Sequence, residues 1–265
     1  MRNDLSPDVI RQTAHRLADA ARTETLAYFR RPGLAAENKA AAGFDPVTLA
    51  DRAAEAAMRR ILRRDRPEDA ILGEEEGLTP GRSGLTWVLD PIDGTRAFLS
   101  GAPTWGVLIA LRDANGVIYG LIDQPWTGER FEGGWGQATL TRNGQNTPLA
   151  TRGASGLDQA ILFSTFPEIG TPAERAAFER VAAQVRLTRY GMDCYAYALL
   201  ALGQIDLVIE AGLNAYDIAG PIGVIEAAGG LVTNWQGGPA ADGGQVLAAS
   251  NPAIHAAALA HLAGT

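Results

Sequence analysis

The chain has 265 residues, is 46% hydrophobic and carries a net charge of -7 with a pI near 5.0; that is enough apolar material for one large domain or two halves sharing an interface. The acidic balance argues against non-specific nucleic-acid binding and against a polybasic membrane surface. Cys194 is the only cysteine, which excludes an intrachain disulfide and a thiolate metal cage, and three scattered histidines (His15, His255, His261) argue against a histidine-based zinc site.

Met1-Arg2-Asn3-Asp4 lacks the apolar core of a signal peptide, and no run approaches the roughly 18 apolar residues of a membrane span. A soluble cytoplasmic protein is expected. Ser6-Pro7-Asp8 reads as a helix start, with a hydroxyl cap, a proline at the first position and an acid on the positive end of the dipole. Val9, Ile10, Leu17, Leu26 and Phe29 give this helix an apolar face to about Arg30, and Arg31-Pro32-Gly33 breaks it. Residues 34–46 read as a loop carrying Lys39. A second helix opens at Thr48-Leu49-Ala50-Asp51, where Asp51 fits a capping-box variant, and runs to about Arg64. Its Arg59, Arg60, Arg63 and Arg64 are expected on a solvated face.

Residues 70–73 read as a short strand ending at Glu74-Glu75-Glu76, three acids that taken alone mean a solvated loop, followed by a flexible link over 77–84. The stretch Trp87-Val88-Leu89-Asp90 is a buried strand that ends in a carboxylate, and Pro91-Ile92-Asp93-Gly94-Thr95 follows it. Runs at 105–111 and 117–122 flank Asp113-Ala114-Asn115-Gly116, a hairpin turn, and strands near 128–133 and 138–142 extend the meander. The first half therefore reads as two helices against an antiparallel sheet. After about residue 150, strands at 160–163, 185–190 and 205–210 alternate with helices at 172–184, 192–202 and 218–228. Such alternation predicts α/β layering with parallel pairings. Gly229-Gly230 closes a helix, strands near 231–234 and 245–249 follow, and Asn251-Pro252 caps the last helix.

A buried strand does not end in two acids for packing reasons, because an unpaired buried charge costs several kcal/mol. Asp90 and Asp93, with a rigid proline between them that can turn the Ile92 carbonyl towards the carboxylates, offer an all-oxygen ligand set suited to Mg²⁺. Gly94 and Thr95 then offer backbone that a phosphate can approach closely, and the Thr95 hydroxyl can hold a water.

Asp90-Pro91-Ile92-Asp93-Gly94-Thr95 resembles the signature of the inositol monophosphatase superfamily of Mg²⁺-dependent, lithium-sensitive phosphatases. Gly73-Glu74-Glu75 is similar to its upstream acidic motif, and Asp45-Pro46-Val47-Thr48-Leu49-Ala50-Asp51 to its early motif. Tyr216-Asp217-Ile218-Ala219-Gly220-Pro221 through Gly230 is similar to its C-terminal motif, so four motifs in the family's order span about residues 39–230. The resemblance implies an α+β fold layered α-β-α-β-α. Its N-terminal half, about residues 1–150, would hold the antiparallel sheet and most metal ligands. Its C-terminal half, 151–265, would hold the substrate-selecting residues, and homodimers are implied too.

It also implies roles. Glu74, Asp90 and the Ile92 carbonyl would bind one Mg²⁺; Asp90, Asp93 and Asp217 a second; Glu74 would help hold a weaker third through water. Thr95, bonded to Asp51, would orient and deprotonate the attacking water. Asp93, Gly94, Thr95 and Asp217 would also line the substrate site, Glu75 and Glu76 would be bystanders, and Lys39 matches a family loop lysine near the metals. Asp217 fits equally an N-cap of the helix at 218–228.

The resemblance implies a small phosphate monoester as substrate. Arg189-Tyr190-Gly191-Met192-Asp193-Cys194-Tyr195-Ala196-Tyr197 and Glu210-Ala211-Gly212-Leu213-Asn214-Ala215-Tyr216-Asp217 resemble the histidinol-phosphate phosphatase branch. Histidinol carries an ammonium and an imidazole, which Asp193, Glu210 and Asp93 would surround. Asp193 also fits a helix cap and Glu210 a strand-end acid; Arg189 either anchors one of them or faces solvent. The expected reaction is hydrolysis of L-histidinol phosphate in histidine biosynthesis. The alternatives are an inositol-1-monophosphatase or broad sugar monophosphatase and, in a different class, a binding protein of transcription complexes.

Overall fold

The structure is a computed structural model that describes residues 6–31, 36–38 and 46–264, with side chains described for 6–31 and 49–264. In chain order the first part contains α1 (Pro7–Tyr28), β1 (Ala36–Asn38), β2 (Pro46–Thr48), α2 (Leu49–Asp65), β3 (Ala70–Gly73), β4 (Gly77–Thr79) and β5 (Thr86–Asp93). It continues with α3 (Thr95–Ser100), β6 (Gly106–Asp113), β7 (Gly116–Gln124), β8 (Glu129–Gly134), β9 (Gln137–Arg142) and β10 (Gln145–Pro148). The remainder contains β11 (Ile161–Ser164), α4 (Pro172–Ala182), β12 (Leu187–Tyr190), α5 (Cys194–Ala201), β13 (Leu207–Asn214), α6 (Ala215–Ala227), β14 (Leu231–Thr233), β15 (Gly243–Ala249) and α7 (Pro252–Ala263).

Among the described residues, β3 to β10 form an eight-stranded sheet in the order β10-β9-β8-β7-β6-β5-β3-β4, and β11 to β15 form a five-stranded sheet in the order β12-β11-β13-β15-β14. The strand period of two sorts side chains to opposite faces and thereby sets the layers. Trp87 and Leu89 of β5, with Val107, Ile109 and Leu111 of β6, pack under Ile10, Ala14 and Leu17 of α1 and Ala54, Met58 and Leu62 of α2. The alternate residues face the other way: Leu108 of β6, Ile122 of β7 and Phe131 of β8 meet α5 and α6. Phe163, Val208, Val246 and Ala248 of the second sheet join that same central cluster. On the far face of the second sheet, Leu162, Leu207, Ile209 and Leu247 pack against Phe178 and Val181 of α4 and Ile254, Ala258 and Leu262 of α7. This is the α-β-α-β-α stack that the family resemblance implies.

The central layer explains the odd composition of α6, which is apolar on all sides because a sheet covers each flank. The helix also lies unusually close to the first sheet. A Cβ at Gly120 of β7 would run into the Gly220 carbonyl, and one at Gly223 of α6 into the Gly120 backbone. Glycine on both partners lets helix and strand backbones touch, which brings the start of α6 against β5.

Several expectations need correction. Val9 is exposed rather than part of the apolar face of α1. The Ser6 side chain makes no capping bond to α1, which relies on Pro7 and Asp8 instead. Within the predicted loop at 34–46, Ala36–Asn38 pairs antiparallel with Pro46–Thr48, while Lys39 lies outside the described residues. The first sheet is not purely antiparallel, since β3 and β5 run parallel. Its flexible link at 77–84 begins as β4, which folds back on β3. Arg59 is fully buried instead of solvated, because that hairpin closes over its side of α2. The second sheet is mixed, with β13–β15 and β14–β15 antiparallel beside the parallel β11 pairs. Asn251 behaves as expected, accepting bonds from the Ala253 and Ile254 amides at 3.0 Å each.

Candidate active site

On β5 the alternation that points Trp87 and Leu89 towards α1 and α2 points Val88 and Asp90 towards α6. The strand does not stop at Asp90. It continues to Asp93 across a bulge between those two residues, opposite Leu108 and Gly106 of β6. Such a bulge re-aims side chains, and Pro91, with no N–H to pair, sits within it. Asp90 accepts a bond from the Ile92 amide at 3.0 Å. Gly94 follows with φ +86, a conformation that glycine adopts at no steric cost. A Cβ there would also sit 2.8 Å from the Asp193 carboxyl carbon.

The third acid comes from α6. That helix starts at Ala215 with Asn214 as N-cap, so Asp217 is the third residue of the helix and not its cap, as the later predicted start had it. Its carboxylate accepts the Asn214 amide at 2.6 Å, half of a reciprocal capping box. Asp90, Asp93 and Asp217 thereby present ligand atoms within 4.8 Å of one another, the group among the described residues that could share a metal ion.

Burial, followed by the charges of Glu74, Asp93, Asp217 and Asp51, pushes the Asp90 carboxyl well above the usual carboxylate range. Burial and then Asp217 do the same to Asp93, against a bond from the Cys194 amide at 2.6 Å. Asp217 is pushed up to about 6, again mainly by burial. The other four acids singled out in the sequence for the site, Glu74, Asp93, Asp217 and Asp51, therefore all act on Asp90. Bringing them together costs free energy that a divalent cation would return, and their donors are hard oxygens. The set fits Mg²⁺. The Thr95 hydroxyl donates to the Ile92 carbonyl at 3.2 Å and not to Asp51, the partner that the resemblance implied.

The turn carrying Glu74 is held by a pair that sequence reading missed. Glu55 and Arg59 are both fully buried, 2.7 Å apart, one turn apart on α2. Glu55 accepts the amides of Glu75 at 2.7 Å and Glu76 at 3.0 Å, and Arg59 donates to Thr79 at 2.9 Å and to the Gly77 carbonyl at 2.5 Å. Gly73 has no side chain because the Glu55 carboxylate fills that space. The signal was the i, i+4 spacing of an acid and an arginine on a helix followed by a Gly-rich turn. Arg59→Met would strand the Glu55 charge, and loss of one buried partner costs about 3–5 kcal/mol. A denaturant melt checks this; a loss under about 1 kcal/mol would contradict the role.

Beside the acids opens a cavity of about 360 Å³, lined by Asp93, Gly94, Thr95, Asp193, Glu210 and Asp217 among others. Glu210 lies two residues after Val208 on β13 and shares its face, opposite that of Ile209, so it faces the central layer. It accepts the Thr165 amide at 2.7 Å, the Thr165 hydroxyl at 2.9 Å and the Ser164 hydroxyl at 3.4 Å. Burial outweighs these donors and pushes its carboxyl up to about 7. Asp193 holds the N-cap position of α5 but caps nothing. Its carboxylate instead accepts the Thr104 hydroxyl at 3.0 Å, and burial raises its pKa. The amide it leaves uncapped, that of Cys194, is taken by Asp93.

Two wall residues were also missed: Arg96, whose guanidinium lies 4.7 Å from the Phe166 ring centroid across the cavity, and Phe166 itself. Parallel pairing of β11 and β13 was the available signal, since it sets the carboxyl ends of both strands side by side. Arg189 is exposed on β12, over the Phe163 ring at 5.9 Å, and is not among the residues lining the cavity.

The model of the inositol monophosphatase family matches residues 6–264. A chloroplastic bifunctional phosphatase of Arabidopsis thaliana is 42% identical over 237 residues, covering 89% of this chain and 67% of its own. A histidinol-phosphatase of Chlorobaculum parvum is 31% identical over 252 residues, 94% of each chain. An inositol monophosphatase from Zymomonas mobilis has a solved structure that superposes with a TM-score of 0.85 at 38% identity, over 98% of this chain and 100% of that one.

Proposed function

The chain belongs to the inositol monophosphatase family and is a phosphoric monoester hydrolase; from that premise we propose that it hydrolyses L-histidinol phosphate to L-histidinol and phosphate, serving histidine biosynthesis. The observation that carries this reading is the pair of acids, the half-buried Asp193 and the buried Glu210, that line the cavity next to the Asp90 cluster. A neutral polyol asks for no such charge. The ammonium and imidazole of histidinol do, and charge-assisted bonds in a partly dry site are worth about 1.5–3 kcal/mol each. The similarity to histidinol-phosphatases along the chain's length points the same way.

Glu74, Asp90, Asp93, Asp217 and the Ile92 carbonyl would hold two to three Mg²⁺ ions, which supply the positive charge that binds the phosphate and stabilises the attacking and leaving oxygens. The chain's own groups do the rest. Gly94 lets the phosphate approach the backbone. The Thr95 hydroxyl, turned from the Ile92 carbonyl to Asp51 and passing its own proton there, would orient the attacking water and take its proton. Asp193 and Glu210 hold the cationic leaving group so that its ester bond lies in line with that water. The departing alkoxide takes a proton from water beside Asp217.

No helix of the described residues is long and apolar enough to cross a membrane. We infer a cytoplasmic homodimer that engages neither nucleic acid nor membrane.

Phosphate release from L-histidinol phosphate tests the reading, and chelation is expected to abolish it. Activity undiminished by a chelator would overturn the metal site. The pH dependence has a defined sign. Glu210, at about 7, and Asp217, at about 6, are charged above those values and take up protons below them. As pH falls through 7, the leaving-group cation loses a partner, and as it falls through 6, protons compete for a metal ligand. KM therefore rises towards acid. Raising Mg²⁺ shifts the lower limb to still lower pH, because metal displaces the proton from Asp217 but not from Glu210.

A further inference from the structure

Tyr197 has a place in the cavity that neither the motifs nor the reaction explain. It lies on α5, one turn after Asp193, and lines the same cavity. It is 4% exposed, and its hydroxyl is buried with no hydrogen-bond partner. Other phenols in the fold do not behave this way: Tyr119 donates to Glu132 at 2.6 Å and Tyr195 to Glu129 at 2.7 Å. The Tyr197 hydroxyl instead feels the charges of Glu210, Asp93 and Asp217 together. It shares the lining of the cavity with Glu210, the acid at the leaving-group end, and with Asp93 and Asp217, the acids at the phosphate end.

A buried hydroxyl without a partner is unfavourable, and phenylalanine would fill the same volume without that cost. The partner must arrive with the ligand. A substrate whose phosphate lies against Asp93 and Asp217, and whose distal cation lies towards Glu210, places the carbons next to the ester oxygen beside Tyr197. In an amino-alcohol phosphate the group on those carbons is an ammonium. We propose that Tyr197 is a specificity-determining residue whose phenol oxygen accepts a hydrogen bond from the ammonium vicinal to the phosphate ester. The inference rests on the histidinol-phosphate reading of the site and adds a neutral acceptor to its two acids. Burial, followed by the charges of Glu210, Asp93 and Asp217, keeps the phenol proton in place, so the group acts by accepting and does not take part in proton transfer.

The test compares L-histidinol phosphate with 3-(imidazol-4-yl)propyl phosphate, which lacks only the amino group, on the wild-type protein and on Tyr197→Phe with saturating Mg²⁺. Wild type is expected to favour the aminated ester. Tyr197→Phe should raise KM for that ester about 5- to 20-fold with kcat within about threefold, and leave the desamino ester within about twofold. Its melting temperature should equal or exceed that of wild type, since an unpartnered hydroxyl is removed. Tyr197→Met, which also lacks the hydroxyl, must give the same amine-specific loss. Equal losses on both esters would assign Tyr197 to packing and overturn the proposal while leaving the histidinol-phosphate reading intact. A wild-type protein indifferent to the amino group would overturn both.

Discussion

Asp90→Asn is expected to cut phosphate release from L-histidinol phosphate by roughly 10³-fold or more, and to make the cation-free protein harder to melt. The two effects have one cause. Asp90 is 1% exposed and lies at the centre of the acids, with Glu74, Asp93, Asp217 and Asp51 all acting on it. A cation held there contributes several kcal/mol of transition-state stabilisation, and each 1.4 kcal/mol is tenfold in rate. Without the cation the same carboxylate is a liability. Its pKa is raised in the folded state, so the stabilisation present while it is protonated is lost as pH rises through that raised value. Asparagine copies the protonated form at every pH. Below about pH 4 the two proteins should melt alike, because an unfolded aspartate is then protonated too. At pH 8 in chelator the variant should melt higher, and added Mg²⁺ should reverse the order by stabilising only the wild type. A variant that melts lower in chelator at pH 8 would mean that Asp90 serves the fold rather than an ion.

Asp193→Asn is expected to lower kcat/KM for L-histidinol phosphate by about 10- to 150-fold, the value of one charge-assisted bond. For a phosphate ester with a neutral leaving group, such as glycerol 2-phosphate, the change should stay within about threefold. Asp193 has φ +47 and ψ -143, a conformation rare for any residue with a side chain. Strain of this kind costs about 1–3 kcal/mol and persists where the surroundings over-determine it. Here Thr104 holds the carboxylate and Asp93 holds the next amide. Asp193→Gly should therefore stabilise the protein while losing the same substrate preference, which separates the role of the charge from that of the backbone. Equal losses on both esters from Asp193→Asn would place the acid at the phosphate instead of the amine.

What could be read from the sequence follows from the range of the interactions concerned. Asp90, Pro91 and Asp93 are neighbours in the chain, so their chemistry was legible as a local pattern, and the β5 bulge that joins them refined it only in detail. The hairpin of β6 and β7 was legible for the same reason, since Asp113-Ala114-Asn115-Gly116 carries its own turn signal. Arg59 was misread because its burial depends on β4, some twenty residues away, closing over α2. The central position of α6 was not legible either. Its glycines acquire meaning only against Gly120 and Gly133, whose added Cβ atoms would meet the backbone of α6. That contact also decides where Asp217 stands, and the helix start was misjudged by three residues because Asn214, not Asp217, takes the cap. Glu55, Thr165, Arg96 and Phe166 were missed because each acquires its role from an element distant in sequence. Glu210 and Asp193 were found through resemblance, and their burial, which gives their charge its worth, came from the layers.

For the cationic leaving group that we propose for this cavity, the direct measurement is kcat/KM for L-histidinol phosphate against inositol 1-phosphate, side by side at pH 8 with saturating Mg²⁺. Asp193 and Glu210 predict a preference for histidinol phosphate of at least about 10²-fold, the combined worth of two charge-assisted bonds. Equal rates, or a preference for inositol 1-phosphate, would contradict a cavity selective for the cationic ester.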